Sequence, residues 1–145
     1  MKLIKRILFY LIQFTWGLPV TITGVFATLA LLCGGYKPKL NQGYIYFVVG
    51  KNWGGVNFGC FIVLSETSAK SKYTILHEMG HGIQNLMYGF LMPFIVSIPS
   101  TIRYWYRRFI IHIGKGDALP DYYSIWFEKQ ASELGEKYYG AKAVG

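Results

Sequence analysis

At 145 residues, the chain has room for one small domain beside an apolar N-terminal stretch. Hydrophobic residues make up 52%, and 15 lysines and arginines against 7 acidic residues give a net charge of +8. Two cysteines exclude a disulfide framework, and no internal repeat, glycine-rich phosphate loop or low-complexity linker is present.

The chain opens with Lys2, Lys5 and Arg6, after which no charged residue occurs until Lys37. The run from Ile7 to Cys33 holds 27 uncharged, mainly apolar positions, and a helix of that length covers roughly 30 Å of hydrocarbon at about 1.5 Å per residue. Gly17, Pro19 and Gly24 kink such a helix without preventing insertion. A cleaved signal peptide has an apolar region of only about 7–15 residues, and Ala30-Leu31-Leu32-Cys33 lacks the small residue that lipoprotein processing needs before cysteine. The sequence therefore predicts a transmembrane anchor over residues 1–35 and a membrane-associated domain over 36–145. The N-terminal cations favour a cytoplasmic N-terminus, whereas Lys37 and Lys39 pull the other way. A basic surface serves nucleic acid and lipid headgroups alike. The apolar segments make a lipid bilayer the expected anionic partner, and no nucleic acid is expected.

Two β-rich runs follow, Tyr44–Val49 and Val56–Leu64, joined by Lys51-Asn52-Trp53-Gly54-Gly55. They read as a β-hairpin. Next comes His77-Glu78-Met79-Gly80-His81, which matches H-E-x-x-H and contains two of the three histidines. One turn of helix stacks positions i and i+4, so both imidazoles can bind a single Zn²⁺ while Glu78 reaches a water beside it. On a helix from about Tyr73 to Tyr88, with Ser68 or Ser71 as N-cap, His77, His81, Gln84 and Tyr88 form one polar stripe. Ile75, Leu76, Met79, Ile83, Leu86 and Met87 form an apolar back. Gly80 and Gly82 each cost roughly 1 kcal/mol of helix propensity, which predicts close packing there.

A second uncharged stretch, Gly82 to Ile102, is broken by Gly89, Pro93 and Pro99. Were it to cross a membrane, residues before and after it would be separated by the bilayer, so a site joining them requires it to be re-entrant or interfacial. Tyr104-Trp105-Tyr106-Arg107-Arg108 then reads as an interfacial anchor.

A catalytic zinc site has three protein ligands and an open position. The long metzincin pattern needs histidine at position 87, which is Met87. His112, Asp117, Asp121 and Glu128 remain, and Glu128 is preferred. Asp121 reads as the N-cap of a C-terminal helix with Glu128 two turns inside, and Ser124, Ala131, Ser132 and Gly135 give that helix a small face for close approach. A two-histidine, one-glutamate set resembles gluzincin peptidases. In that group an acid or amide four residues after the glutamate orients a ligand histidine; here Ser132 stands in that place.

The order of features resembles an uncharacterised family of small membrane proteins from Gram-positive bacteria and their mobile elements. The matching pieces are the basic, apolar N-terminus, Gly59-Cys60-Phe61-Ile62-Val63, His77-Glu78-Met79-Gly80-His81 with Gln84, Ser97-Ile98-Pro99-Ser100, and Tyr122-Tyr123-Ser124 leading to Phe127-Glu128-Lys129-Gln130-Ala131. Members carry Trp-Ala-Asn where this chain has Gln130-Ala131-Ser132. The resemblance implies an integral protein of the bacterial cell membrane.

The expected protein is thus an α+β membrane protein: a transmembrane helix, a β-hairpin, the H-E-x-x-H helix, a broken apolar segment and a C-terminal helix. Its expected activity is that of a zincin-like metallopeptidase acting on a peptide or protein. His77, His81 and Glu128 are the ligands, Glu78 is the catalytic base, and Tyr122, Tyr123 or Arg103 faces the oxyanion. The alternatives are a non-catalytic interaction protein with a structural zinc site, closed by a fourth ligand such as His112, and a metal-free buried polar network.

Overall fold

Where the sequence reads as one unbroken apolar run, the chain turns sharply. The computed structural model describes residues 2–140, and in it Ile7–Cys33 is not a single helix. Helix α1 (Leu3–Gln13) and helix α2 (Leu18–Cys33) meet at 96°. Pro19 stands in the first turn of α2, where its missing N–H is harmless, but its ring cannot continue a helix from α1. The buried Gly17 carbonyl in the turn finds side-chain donors: Asn85 Nδ2 at 3.1 Å and Thr21 Oγ1 at 3.0 Å. The predicted single transmembrane helix is corrected accordingly. No single helix among the described residues is long and apolar enough to cross a membrane.

After α2 come four short strands, β1 (Lys39–Asn41), β2 (Tyr44–Val48), β3 (Gly55–Phe58) and β4 (Phe61–Leu64), forming one mixed sheet in the order β1-β2-β4-β3. The two β-rich runs are not hairpin partners, which corrects the second expectation. Strand β2 pairs in parallel with β4, Ile45 opposite Phe61, while β3 and β4 form the antiparallel hairpin within the second run. Its turn is Gly59-Cys60. Gly59 has φ +73°, and a Cβ there would lie 2.4 Å from Thr21 Oγ1, so only glycine fits. Asn57 shapes the turn by accepting from Gly59 N at 2.8 Å, and its Nδ2 donates to Glu78 O at 2.8 Å, fastening β3 to the next long helix.

A short helix α3 (Glu66–Ala69) precedes α4 (Lys72–Tyr88), which carries the histidine motif and is capped by Ser71, one of the two serines the sequence offers. A 3₁₀ turn (Gly89–Leu91) and a π-helical turn (Pro93–Ser97) lead into α5 (Ile98–His112). The helical stretches Lys72–Leu91 and Pro93–His112 are bent by 117° at this break. A 3₁₀ turn at Gly116–Ala118 and another at Tyr122–Ser124 precede α6 (Trp126–Tyr139). Asp121 caps the second 3₁₀ turn, not α6, so Glu128 lies in the first turn of its helix instead of two turns inside.

Helices α4 and α6 cross at backbone contact. A Cβ on Gly80 would lie 1.8 Å from Ala131 O, and one on Gly135 would lie 1.8 Å from Leu76 O. The small face predicted around Glu128 is therefore what lets α6 approach. The sheet covers the apolar back of α4: Tyr44, Phe47, Ile62, Leu64, Leu76 and Met79 are buried. Tyr44 also donates to Met79 O at 2.9 Å. The fold is thus α+β.

Helices α1 and α2 belong to the same packing. Gln13 is fully buried and donates to Gly82 O at 3.1 Å, and Gly24 lies against Phe58 and Phe61.

Candidate metal centre

Helix α4 delivers His77 and His81 to one face, and the close crossing with α6 brings Glu128 against them. The three reactive atoms form a small triangle. Glu128 Oε2 is 3.0 Å from His77 Nε2 and 3.3 Å from His81 Nε2, and the two Nε2 atoms are 3.1 Å apart. All three side chains are buried, Glu128 completely. A metal bound tetrahedrally at about 2.0–2.1 Å separates its ligand atoms by roughly 3.3 Å. The triangle has nearly that edge. His77, His81 and Glu128 form a buried group that could hold a metal ion.

The hydrogen bonds behind the triangle assign its protons. Gln84 Nε2 donates to Phe127 O at 2.8 Å and to Gln130 Oε1 at 2.9 Å, which fixes the orientation of its amide. Gln84 Oε1 is then the atom 2.7 Å from His81 Nδ1, so Nδ1 carries the proton and Nε2 a free lone pair. Ser132 does the same for His77. Its hydroxyl donates to Glu128 O at 3.2 Å, leaving Oγ to accept from His77 Nδ1 at 2.9 Å. Ser100, on α5, donates to Glu128 Oε1 at 2.5 Å, and Tyr122 donates to the same oxygen at 3.5 Å. Glu128 Oε2 has no hydrogen-bond partner. Two lone pairs and a buried carboxylate oxygen therefore face one point with no proton between them. A bound cation satisfies all three.

Electrostatics agree with that geometry. Burial opposes ionisation of Glu128, but His77 and His81 beside it, with the Ser100 hydroxyl, outweigh that and hold the carboxyl well below the usual range. For His81, burial disfavours the charged form, yet Glu128, Glu78 and Gln84 raise its pKa overall. Burial pushes the Glu78 pKa up, partly offset by His77 and His81. Its carboxylate lines a cavity of about 410 Å³ together with both histidines. A Cβ on Gly55 would stand 2.8 Å from Glu78 Oε1, so the strand makes room for the carboxylate by having no side chain.

Among the three candidates for oxyanion contact, Tyr122 and Tyr123 line the cavity. Tyr123 stands edge-on to the His77 ring at 4.9 Å, and burial raises its pKa to about 12. Arg103 is held elsewhere, donating to Asp121 O at 3.1 Å and Tyr122 O at 3.3 Å. His112, Asp117 and Asp121 are exposed and stand outside the metal-holding group. Sequence reasoning did not find Ser100. Ser97-Ile98-Pro99-Ser100 enters the sequence reading only as part of a resemblance, and a lone serine in an apolar stretch gives no chemical signal. The polar stripe was a usable signal for Gln84 and Tyr88, both of which meet Gln130.

Fold and site together define a class: an α+β protein with a buried His-His-Glu group suited to a metal ion. No protein-family model, curated protein or solved structure matches the chain.

Proposed function

We propose that this protein is a zinc-dependent peptidase working at a bacterial cell membrane, and that it belongs with the small membrane proteins its sequence resembles. The observation that carries the peptidase reading is the convergence of His77 Nε2, His81 Nε2 and the unpartnered Glu128 Oε2 beside a cavity that Glu78 lines. Two imidazoles and a carboxylate suit Zn²⁺. Held there, zinc supplies Lewis acidity to a water and to a substrate carbonyl.

The chain's own residues supply the rest. Glu78, with its raised pKa, takes a proton from water as the water oxygen bonds to the peptide carbonyl carbon. The same carboxyl then returns the proton to the leaving nitrogen as the C–N bond breaks. Tyr122 and Tyr123 line the cavity, and a hydroxyl of either would donate to the developing oxyanion. Strand β3 is at the sheet edge and lines the cavity from Gly55 to Phe58. Its free backbone groups suit an extended peptide.

A closed structural zinc site would need a fourth protein ligand. The metal-holding group has three members among the described residues, and His112 is exposed. Replacing Glu78 with glutamine should abolish cleavage of a quenched-fluorescence peptide library while leaving bound zinc unchanged. A Glu78→Gln protein that cleaves as fast as wild type would overturn this mechanism.

A further inference from the structure

The exposed apolar surface is unevenly distributed. Of the large hydrophobic side chains exposed among the described residues, thirteen lie between Leu3 and Leu32 and eleven between Met87 and Ile113, against five elsewhere. These two regions contain the two sharp helix bends, of 96° and 117°. Neither region offers a straight apolar span: α2 has 16 residues, or about 24 Å against roughly 30 Å of hydrocarbon, and the longer helical stretch Pro93–His112 carries Arg103, Arg107 and Arg108.

Both bends are built into the packing. Gln13, Thr21 and Asn85 are fully buried and bonded to one another across α1, α2 and α4, with Asn85 Nδ2 at 2.5 Å from Gln13 Oε1. Straightening α1 and α2 into one span would break this cluster and the Asn85 bond to Gly17 O. The second bend is fixed by the metal centre itself. His81 precedes the break and Glu128 follows it, yet their reactive atoms are 3.3 Å apart, so residues 82–102 cannot carry the chain across a bilayer. Non-helical backbone at membrane depth is tolerated only where protein buries it, which is what the cluster does for the first bend.

We propose that the protein sits in one leaflet of an anionic bilayer, with α1, α2 and the Met87–Ile113 region in the lipid. Lys2, Asn52, Glu133 and the metal centre then all face one aqueous side. Charge selects this occupant over a second copy of the chain. Exposed Lys2, Lys5 and Arg6 are interleaved with Leu3, Ile4 and Ile7 on α1, and exposed Arg108 and Lys115 lie at the far end of α5. Such an arrangement attracts anionic headgroups, whereas a self-contact would bring like charges together. The inference does not depend on catalysis or on which metal is bound.

The test uses the full chain with Cys33→Ser and single cysteines introduced as Lys2→Cys, Asn52→Cys or Glu133→Cys, all at exposed positions. Each protein is reconstituted into phosphatidylglycerol-containing vesicles and treated with a membrane-impermeant maleimide before and after detergent. The expected result is the same externally labelled fraction at all three sites. Complementary labelling of Lys2→Cys and Asn52→Cys would show that α1 and α2 span, and complementary labelling of Asn52→Cys and Glu133→Cys that residues 82–102 span. Either result overturns the proposal, as does a protein that fails to float with the vesicles, whether monomer or stable dimer. Leu8→Glu combined with Phe94→Glu, both exposed, should lower the vesicle-bound fraction at least tenfold with an unchanged circular dichroism spectrum. Undiminished binding would equally count against it.

Discussion

Helix α4 meets its neighbours in two contrasting ways. Against α6 it packs backbone to backbone through Gly80, Ala131 and Gly135, and the polar side chains there point into the metal centre. Against α1 and α2 it packs through Gln13, Thr21 and Asn85, whose polar groups bind one another and the turn between the helices. The first contact uses small residues to aim chemistry. The second uses amide side chains to hold a bend. Close approach makes the site rigid, and a buried hydrogen-bonded cluster makes the topology specific.

The largest expected effect comes from breaking the first contact. Gly80→Val places a side chain into the Ala131 carbonyl. It should cost more than about 3 kcal/mol, read from denaturant midpoints, and abolish metal binding. Asn85→Leu breaks only the second. It removes one donor each from Gly17 O and Gln13 Oε1, which keep Thr21 as a partner, and it should cost about 1–2 kcal/mol while metal affinity stays at the wild-type level. If affinity fell together with stability, the two contacts would not be independent. A smaller change sharpens the site side: Ser132→Ala removes the acceptor for His77 Nδ1 and should weaken metal affinity about 10–100-fold with little loss of stability.

The metal-free protein should show the electrostatics of the triangle. Glu128 has a lowered folded pKa, so its contribution is present above the ordinary glutamate value of about 4.3 and is lost as pH falls through the folded value. His81 has a raised folded pKa. Its contribution is complete below about pH 6.5 and fades as pH rises through the folded value. Thermal unfolding of the metal-free chain should therefore be most resistant between about pH 4.5 and 6.5. With metal bound, proton competition for the imidazoles moves the optimum upward. A metal-free chain that gained stability steadily to pH 8 would contradict these assignments.

The same contrast explains what the sequence disclosed. The metal-holding group was legible because helical periodicity puts His77 and His81 together, and because Ala131, Ser132 and Gly135 mark a face that can approach another helix. A serine cap before the motif helix and the break in the apolar stretch at Gly89 and Pro93 followed from equally local rules. The bend at Gly17 did not, since its stability lies in contacts with Asn85, 68 residues away. Pro19 looked like a tolerable kink until that partner was known. Strand pairing was misassigned for a related reason: Gly59-Cys60 makes a tight turn against Thr21, a contact with a helix that no strand pattern reveals. Ser100 was hidden because its role depends wholly on where α5 lies against Glu128.

X-ray absorption at the zinc edge on the purified, zinc-supplemented protein tests the central claim most directly. The account predicts one zinc per chain with two imidazole nitrogens at about 2.0–2.1 Å and a carboxylate oxygen at about 2.0–2.2 Å, and loss of bound zinc in Glu128→Ala. A wild-type chain that binds no zinc, or a Glu128→Ala chain whose spectrum and zinc content match wild type, would contradict it.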